Sequence, residues 1–293
     1  MSTAAPTRRP TIPLRGGVLR RDALPSRTVA VALVAASSYG LAAAHPYRGV
    51  SDATVMGAKA QDVCSLLVAV ALMLLAVRTG PRAHLVRLGL FAYVSYSYSI
   101  FMWGLPMNRA FLGYVVLVSV AGGALLDGLV RLQPAAWPRA ASRRLERGTG
   151  WFLIAVGVLF AVLWLSTLVP FALGGQRPDP EGPGGAPYPV FALDLSVVLP
   201  CLVALGALLV RGRRIGTPLA VVALVKIITL FSVLWAGVVA GVLGGSEVEL
   251  GPDAVPSLLL VLVCCWLLAR WARVVDGADD GAVRATFWPA TPD

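Results

Sequence analysis

A bundle of about eight transmembrane α-helices is the fold class that this sequence predicts, and three observations carry the prediction. The 293 residues are 57 % hydrophobic and only 14 % charged, with a mean hydropathy of +0.77, whereas soluble domains run near 25 % charged. Apolar runs long enough to cross the roughly 30 Å hydrocarbon core recur along the chain. The basic residues fall in alternate connections between those runs, the pattern that orients membrane proteins.

Residues 1–27 are polar and basic (Arg8, Arg9, Arg15, Arg20, Arg21, Arg27) and read as a disordered cytoplasmic tail. Near a membrane each arginine favours anionic lipid by about 1 kcal/mol. The first span is 28–44. Its short length and its Ala42-Ala43-Ala44 end also resemble a signal peptide with a small-residue cleavage site, and either reading places the next segment outside. The second span is 61–78 and the third 85–103, joined by a short basic turn. The fourth is 109–131 and the fifth 151–173, separated by a basic loop with Arg139, Arg143, Arg144 and Arg147. Residues 174–189 are too rich in Pro and Gly to continue a helix and form an extracellular loop. The sixth span is 191–210, the seventh 217–244 and the eighth 255–275. A flexible cytoplasmic tail, 276–293, ends the chain.

The loop charges test this count. With the N-terminus inside, cytoplasmic segments hold 20 Lys and Arg, outside segments hold four (Arg48, Lys59, Arg109, Arg177), and Lys226 alone lies mid-span. One missed helix would invert every later loop and destroy the asymmetry. Both termini are therefore expected in the cytoplasm, in a cell-membrane protein. The formal charge of +10 follows this topology and does not cluster on one soluble domain, so nucleic acid is not an expected partner. The four cysteines, Cys64, Cys201, Cys264 and Cys265, lie inside apolar runs without Cys-x-x-Cys or Cys/His spacing, which supports neither a disulfide framework nor a metal site. No cofactor is implied.

An internal repeat is expected at an offset near 132. QDVCSLLVAVALMLLAVRTG, from Gln61, resembles LDLSVVLPCLVALGALLVRGRR, from Leu193. Each carries an early Asp and then a basic turn, and the spacing from Asp62 to Arg78 matches that from Asp194 to Arg211 to within a single position. The offset lays residues 28–131 over 151–275 as two parallel four-helix halves, an arrangement known in transporters. Similar hydropathy alone would produce part of this likeness.

Residues 57–109 concentrate the polar chemistry. Asp62 and Asp194 read as first-turn acids, and two readings stand side by side. Either they satisfy free amides and the helix dipole, or they face one outer cavity as a pair suited to a cation or protons. Tyr93 and Tyr96 share a face of the third span, with Tyr98 and three serines around it, so that helix should be surrounded by protein. Lys226 falls near the bilayer middle, where an ammonium must pair, face water or snorkel. The rise of an α-helix puts Asp194 roughly 12 Å above it, so a tyrosine or water must stand between them. Asp127 and Arg131 are spaced as an ordinary i, i+4 pair. Pro200 cannot donate an amide hydrogen bond and frees a carbonyl near Ser196. Gly237, Gly241 and Gly245 form a helix-packing stripe, within the chain or across a homodimer.

Gln61-Asp62, the Tyr-rich third span ending in Asn108, and Asp194 followed by a proline resemble a widespread group of multi-span bacterial integral membrane proteins. The resemblance covers 57–130 and 190–230 and implies that these polar residues belong to one site; it carries no established activity. No Walker loop, G-x-S-x-G or H-E-x-x-H motif is present, so ATP hydrolysis and ordinary hydrolase chemistry lack support. The leading expectation is a transporter-like or permease-like protein, with an ABC-type ATPase as one candidate partner. Asp62, Tyr93, Tyr96, Asn108, Arg109, Asp194 and Lys226 are expected to line one outward-facing polar cavity. The alternatives are a membrane-embedded enzyme acting on a lipid or prenyl substrate, and a non-catalytic scaffold or sensor subunit.

Overall fold

The structure is a computed structural model, and it describes residues 17–78, 80–137, 142–179, 186–243, 254–276 and 283. Its architecture is a helical membrane bundle of eight long helices: α1 Gly17–Ala42, α2 Asp52–Ala76, α3 Pro81–Gly104, α4 Phe111–Val130 and α5 Arg143–Ala172, then α6 Tyr188–Val210, α7 Gly216–Leu243 and α8 Ala254–Val275. Helices α2 to α8 are long and apolar enough to cross a bilayer. Helix α1 is less apolar because it begins inside the charged N-terminal segment, yet Val29, Ala30, Leu33 and Ala36 bury its second half in the core.

Several helices begin earlier than the apolar runs do. The difference in α2 bears on the site. Ser51 caps its N-terminus by accepting the Thr54 amide at 3.2 Å, and Asp52 supplies the acid of the first turn. A Ser-Asp pair at this place suits the free amides and the positive end of the helix dipole. Asp62 is therefore ten residues into α2, about 15 Å from its start, rather than in its first turn. In the same way Ser142 caps α5, and Glu146 in its first turn pairs with Arg143. Helix α1 starts at Gly17, upstream of the expected Thr28.

Helix α6 contains a π turn over Asp194–Val198, in which the Leu199 amide reaches back five residues to the Asp194 carbonyl. Pro200 follows after Leu199, and its missing N–H and bulky ring favour such a widened turn. Asp194 is consequently the seventh residue of α6, not a cap.

The helices pair in sequence: α1 packs on α2, α3 on α4, α5 on α6 and α7 on α8, while α3 and α7 meet at the centre of the bundle. Small residues allow the closest approaches. A Cβ on Gly206 would stand 2.5 Å from the Gly150 carbonyl oxygen, and one on Gly150 would stand 2.7 Å from that of Gly206. Gly89 plays the corresponding part between α3 and the Val222–Val225 face of α7. Of the expected glycine stripe, Gly237 makes only ordinary contact with Ala60 of α2, and Gly245 lies outside the described residues. Trp103, at the end of α3, and Trp151 are exposed, whereas Trp271 is fully buried and donates to Thr149 at 3.0 Å, tying α8 to α5.

The end of the bundle that carries the basic turns is held by arginines. Arg87 of α3 donates to the carbonyls of Leu75 at 2.7 Å and Arg78 at 3.1 Å, satisfying orphan acceptors at the end of α2. Arg131 pairs with Asp127 at 2.9 Å, the expected i, i+4 contact.

Candidate functional site

Helix α3 is the most enclosed of the spans, and its tyrosines explain why it needs to be. Successive residues turn by about 100°, so the hydroxyls of Tyr93, Tyr96 and Tyr98 leave the helix in three directions. All three side chains are buried, and each meets a polar partner on a different neighbour.

Tyr96 faces α6 and α7. Its hydroxyl donates to Asp194 Oδ1 at 2.9 Å, and the Trp164 indole of α5 donates to Asp194 Oδ2 at 2.9 Å. The Lys226 ammonium stands over the Tyr96 ring, 4.1 Å from its centre, within electrostatic range of Asp194. Cation, aromatic face, hydroxyl and carboxylate thus form one unit. A cation over an aromatic face contributes about 0.5–2 kcal/mol, more when desolvated. Phe191 meets Trp164 edge-on with ring centres 5.1 Å apart, and Phe160 bridges Trp164 and Phe231 at 6.2 and 5.8 Å. This aromatic wall excludes lipid tails from the charged groups and strengthens their interaction by lowering the local dielectric.

Tyr93 and Tyr98 face the first four helices. The Gln61 amide donates to the Tyr93 hydroxyl at 2.6 Å and to Ser65 at 3.1 Å. Tyr98 and Ser37 of α1 share a hydrogen bond of 3.1 Å. Asp62 lies beside them and accepts from the hydroxyl of Tyr47, which belongs to the connection between α1 and α2. Ser37 also stands near this carboxylate. Gly40 makes the arrangement possible, because any Cβ there would collide with the Asp62 carboxylate and the Tyr47 hydroxyl. Burial, and then the neighbouring Asp62 charge, push the Tyr47 phenol far above its usual range, so Tyr47 stays a neutral phenol whose hydroxyl donates a hydrogen bond to Asp62.

Asn108 and Arg109 sit apart from both carboxylates. Asn108 accepts the Ala110 amide at 2.9 Å at the start of α4, and donates to the Tyr114 hydroxyl at 3.3 Å. Arg109 is exposed. The structure therefore brings Tyr96, Asp194 and Lys226 together, places Asp62 and Tyr93 on other sides of α3, and leaves Asn108 and Arg109 at the rim. Among the described residues no hydrogen bond joins Asp62 to Asp194.

Sequence reasoning missed Tyr47, Ser37, Gly40 and Trp164. Trp164 had a usable signal: it lies in the middle of an apolar span, far from the interfaces that tryptophan favours. Tyr47 and Gly40 had none, since a tyrosine in a short connection and a glycine in an apolar helix are both commonplace.

No protein-family model, curated protein or solved structure matches the chain. The site must therefore be read from its own chemistry. It contains a carboxylate held by two neutral donors, an ammonium held by a ring, and a locally widened helix beside them. Among the described residues there is no group of three or more metal-ligating side chains.

Proposed function

We propose that this integral membrane protein is a transporter or permease whose ligand site is built on Asp194, Tyr96 and Lys226. One observation carries the reading: a buried carboxylate and a buried ammonium are joined through Tyr96 where α3 packs against the π turn of α6 and the middle of α7. Ionisable groups inside a membrane are costly and mark ion or substrate pathways. Transporter sites are commonly formed by interrupted helices at the junction of two repeats. The pairing of α1 with α2 and α3 with α4, echoed by α5 with α6 and α7 with α8, supports two parallel halves. On this reading the site opens to the outside, the basic turns are cytoplasmic, and anionic lipid meets them there.

The test is solute flux in proteoliposomes, challenged in turn with amino acids, organic amines, organic acids and sugars. Flux of at least one class is expected, with loss on Asp194→Asn and on Lys226→Met. Flux that persists unchanged in both variants overturns the site. Conversion of a lipid or prenyl phosphate without any flux would overturn transport in favour of an enzyme.

A further inference from the structure

The two intramembrane aspartates differ in one respect that the repeat makes conspicuous. Asp62 and Asp194 fall at matching positions of the two halves, and each is buried among aromatic rings and held by a tyrosine hydroxyl. Asp194 has Lys226 within electrostatic range. Among the described residues Asp62 has no such neighbour. The titratable groups that face it are Tyr47 of the α1–α2 connection, Tyr98 of α3 and Tyr114 of α4, and Ser37 of α1 stands beside it. Helix α7, which also packs on α2, presents the Ser232 carbonyl to Cys64 at 3.9 Å, and its Lys226 is directed to Tyr96. No lysine, arginine or histidine among the described residues faces the Asp62 carboxylate.

A carboxylate buried without a counter-cation takes up a proton instead of holding a charge in a medium of low dielectric. A metal ion would ask for several oxygens at coordination distance, whereas the oxygens gathered here are one carboxylate and hydroxyls that already bond one another. The same hydroxyls lead away from the acid. Tyr47 donates to Asp62, and Tyr114 stands next to Tyr47. Asn108, at the partly exposed start of α4, donates to Tyr114. The rings of Tyr47, Phe101, Tyr98 and Tyr114 pack with centres 5.5–5.9 Å apart, which seals the path against bulk water without interrupting the line of hydroxyls.

We propose that Asp62 is a proton-binding site, separate from the Asp194–Lys226 site, and that Tyr47 and Tyr114 link it to the end of the bundle bearing Asn108. In the loading step the Tyr47 hydroxyl passes its proton to Asp62 and takes a replacement from the Tyr114 side. The net change is one proton gained by Asp62 and one given up by a hydronium ion at the rim, which leaves as water. If the transport reading holds, this proton is the coupling ion; the binding site itself does not depend on it.

Infrared difference spectroscopy of the full chain in lipid nanodiscs, perfused from alkaline to acidic buffer, reads the carboxyl group directly. A protonated-carboxyl C=O band should appear on acidification, vanish in Asp62→Asn, and persist in Asp194→Asn. Tyr47→Phe removes a hydrogen-bond donor to the group and should shift both the frequency and the midpoint of the band. It serves as the test if Asp62→Asn does not fold. A titrating band that is the same in wild type and Asp62→Asn overturns the proposal, as does one that is indifferent to Tyr47→Phe. Solute flux plays no part in this readout, so its failure and the failure of the transport reading are told apart.

Discussion

The Lys226 ammonium lies 4.1 Å from the centre of the Tyr96 ring, and the hydroxyl of that same ring donates to Asp194 at 2.9 Å. Tyr96 is therefore the connection between two groups of opposite charge that belong to different helices. Removing either charge leaves the other buried.

This arrangement sets the first prediction. Breaking a buried charge pair from one side costs about 3–5 kcal/mol, so Lys226→Met and Asp194→Asn should each lower thermal stability in detergent strongly. The double variant should lose less than the sum, with a coupling of about 1–3 kcal/mol. Additive losses would show that ammonium and carboxylate are independent, and the unit described here would dissolve into two separate contacts.

The second prediction concerns the α5–α6 seam. Gly206→Leu drives a side chain into the Gly150 backbone, which cannot swing aside as a flexible side chain would. Overpacking costs about 1–3 kcal/mol where neighbours yield, and here the loss should lie at or above the top of that range. Gly123→Ala is the control. Nothing lies within 4 Å of its added methyl group, so helix propensity should leave stability unchanged or raise it by up to about 1 kcal/mol. Equal unfolding midpoints for wild type and Gly206→Leu would refute the close seam.

The third prediction is topological. In a chain whose four cysteines have been replaced, Met107→Cys and Ala135→Cys place exposed thiols at opposite ends of the bundle. A membrane-impermeant maleimide should label the first in intact cells and the second only after permeabilisation. Labelling of Ala135→Cys from outside would reverse the orientation drawn from the arginines.

The bundle was legible because hydropathy and alternating loop charge act along the whole chain, and each helix contributes its own independent count. The depth of Asp62 was not. An apolar run marks where a helix enters the hydrocarbon, not where it begins. Residues 52–60 of α2, where Asp52, Thr54 and Lys59 interrupt the apolar run, escape a hydropathy reading, although Ser51-Asp52 is a capping signal in plain sight. The candidate site was half legible. Lys226, Asp194 and Tyr96 stand out as ionisable or phenolic groups in apolar surroundings, and the need for something between Lys226 and Asp194 follows from helix rise alone. Which way each tyrosine of α3 points depends on the rotation of that helix against its neighbours, and close contacts such as Gly89 on Val225 set that rotation. Nothing local in the sequence specifies it, so one expected cavity became two clusters on different sides of the same helix.

The π turn at Asp194–Val198 also bears on the history of the chain. Asp194 and Arg211 are separated by one residue more than Asp62 and Arg78, yet both aspartates sit in buried aromatic surroundings and both arginines lie at helix ends. A π turn holds one residue more than the α-helical turn it replaces. On the proposed reading of two repeats, this π turn is the place inside the helix, next to Asp194, that would take up the extra residue. If the halves descend from one ancestral hairpin, Asp194–Val198 is where their lengths diverged, and a single inserted residue would have both reshaped the surroundings of one aspartate and left the rest of its helix in step.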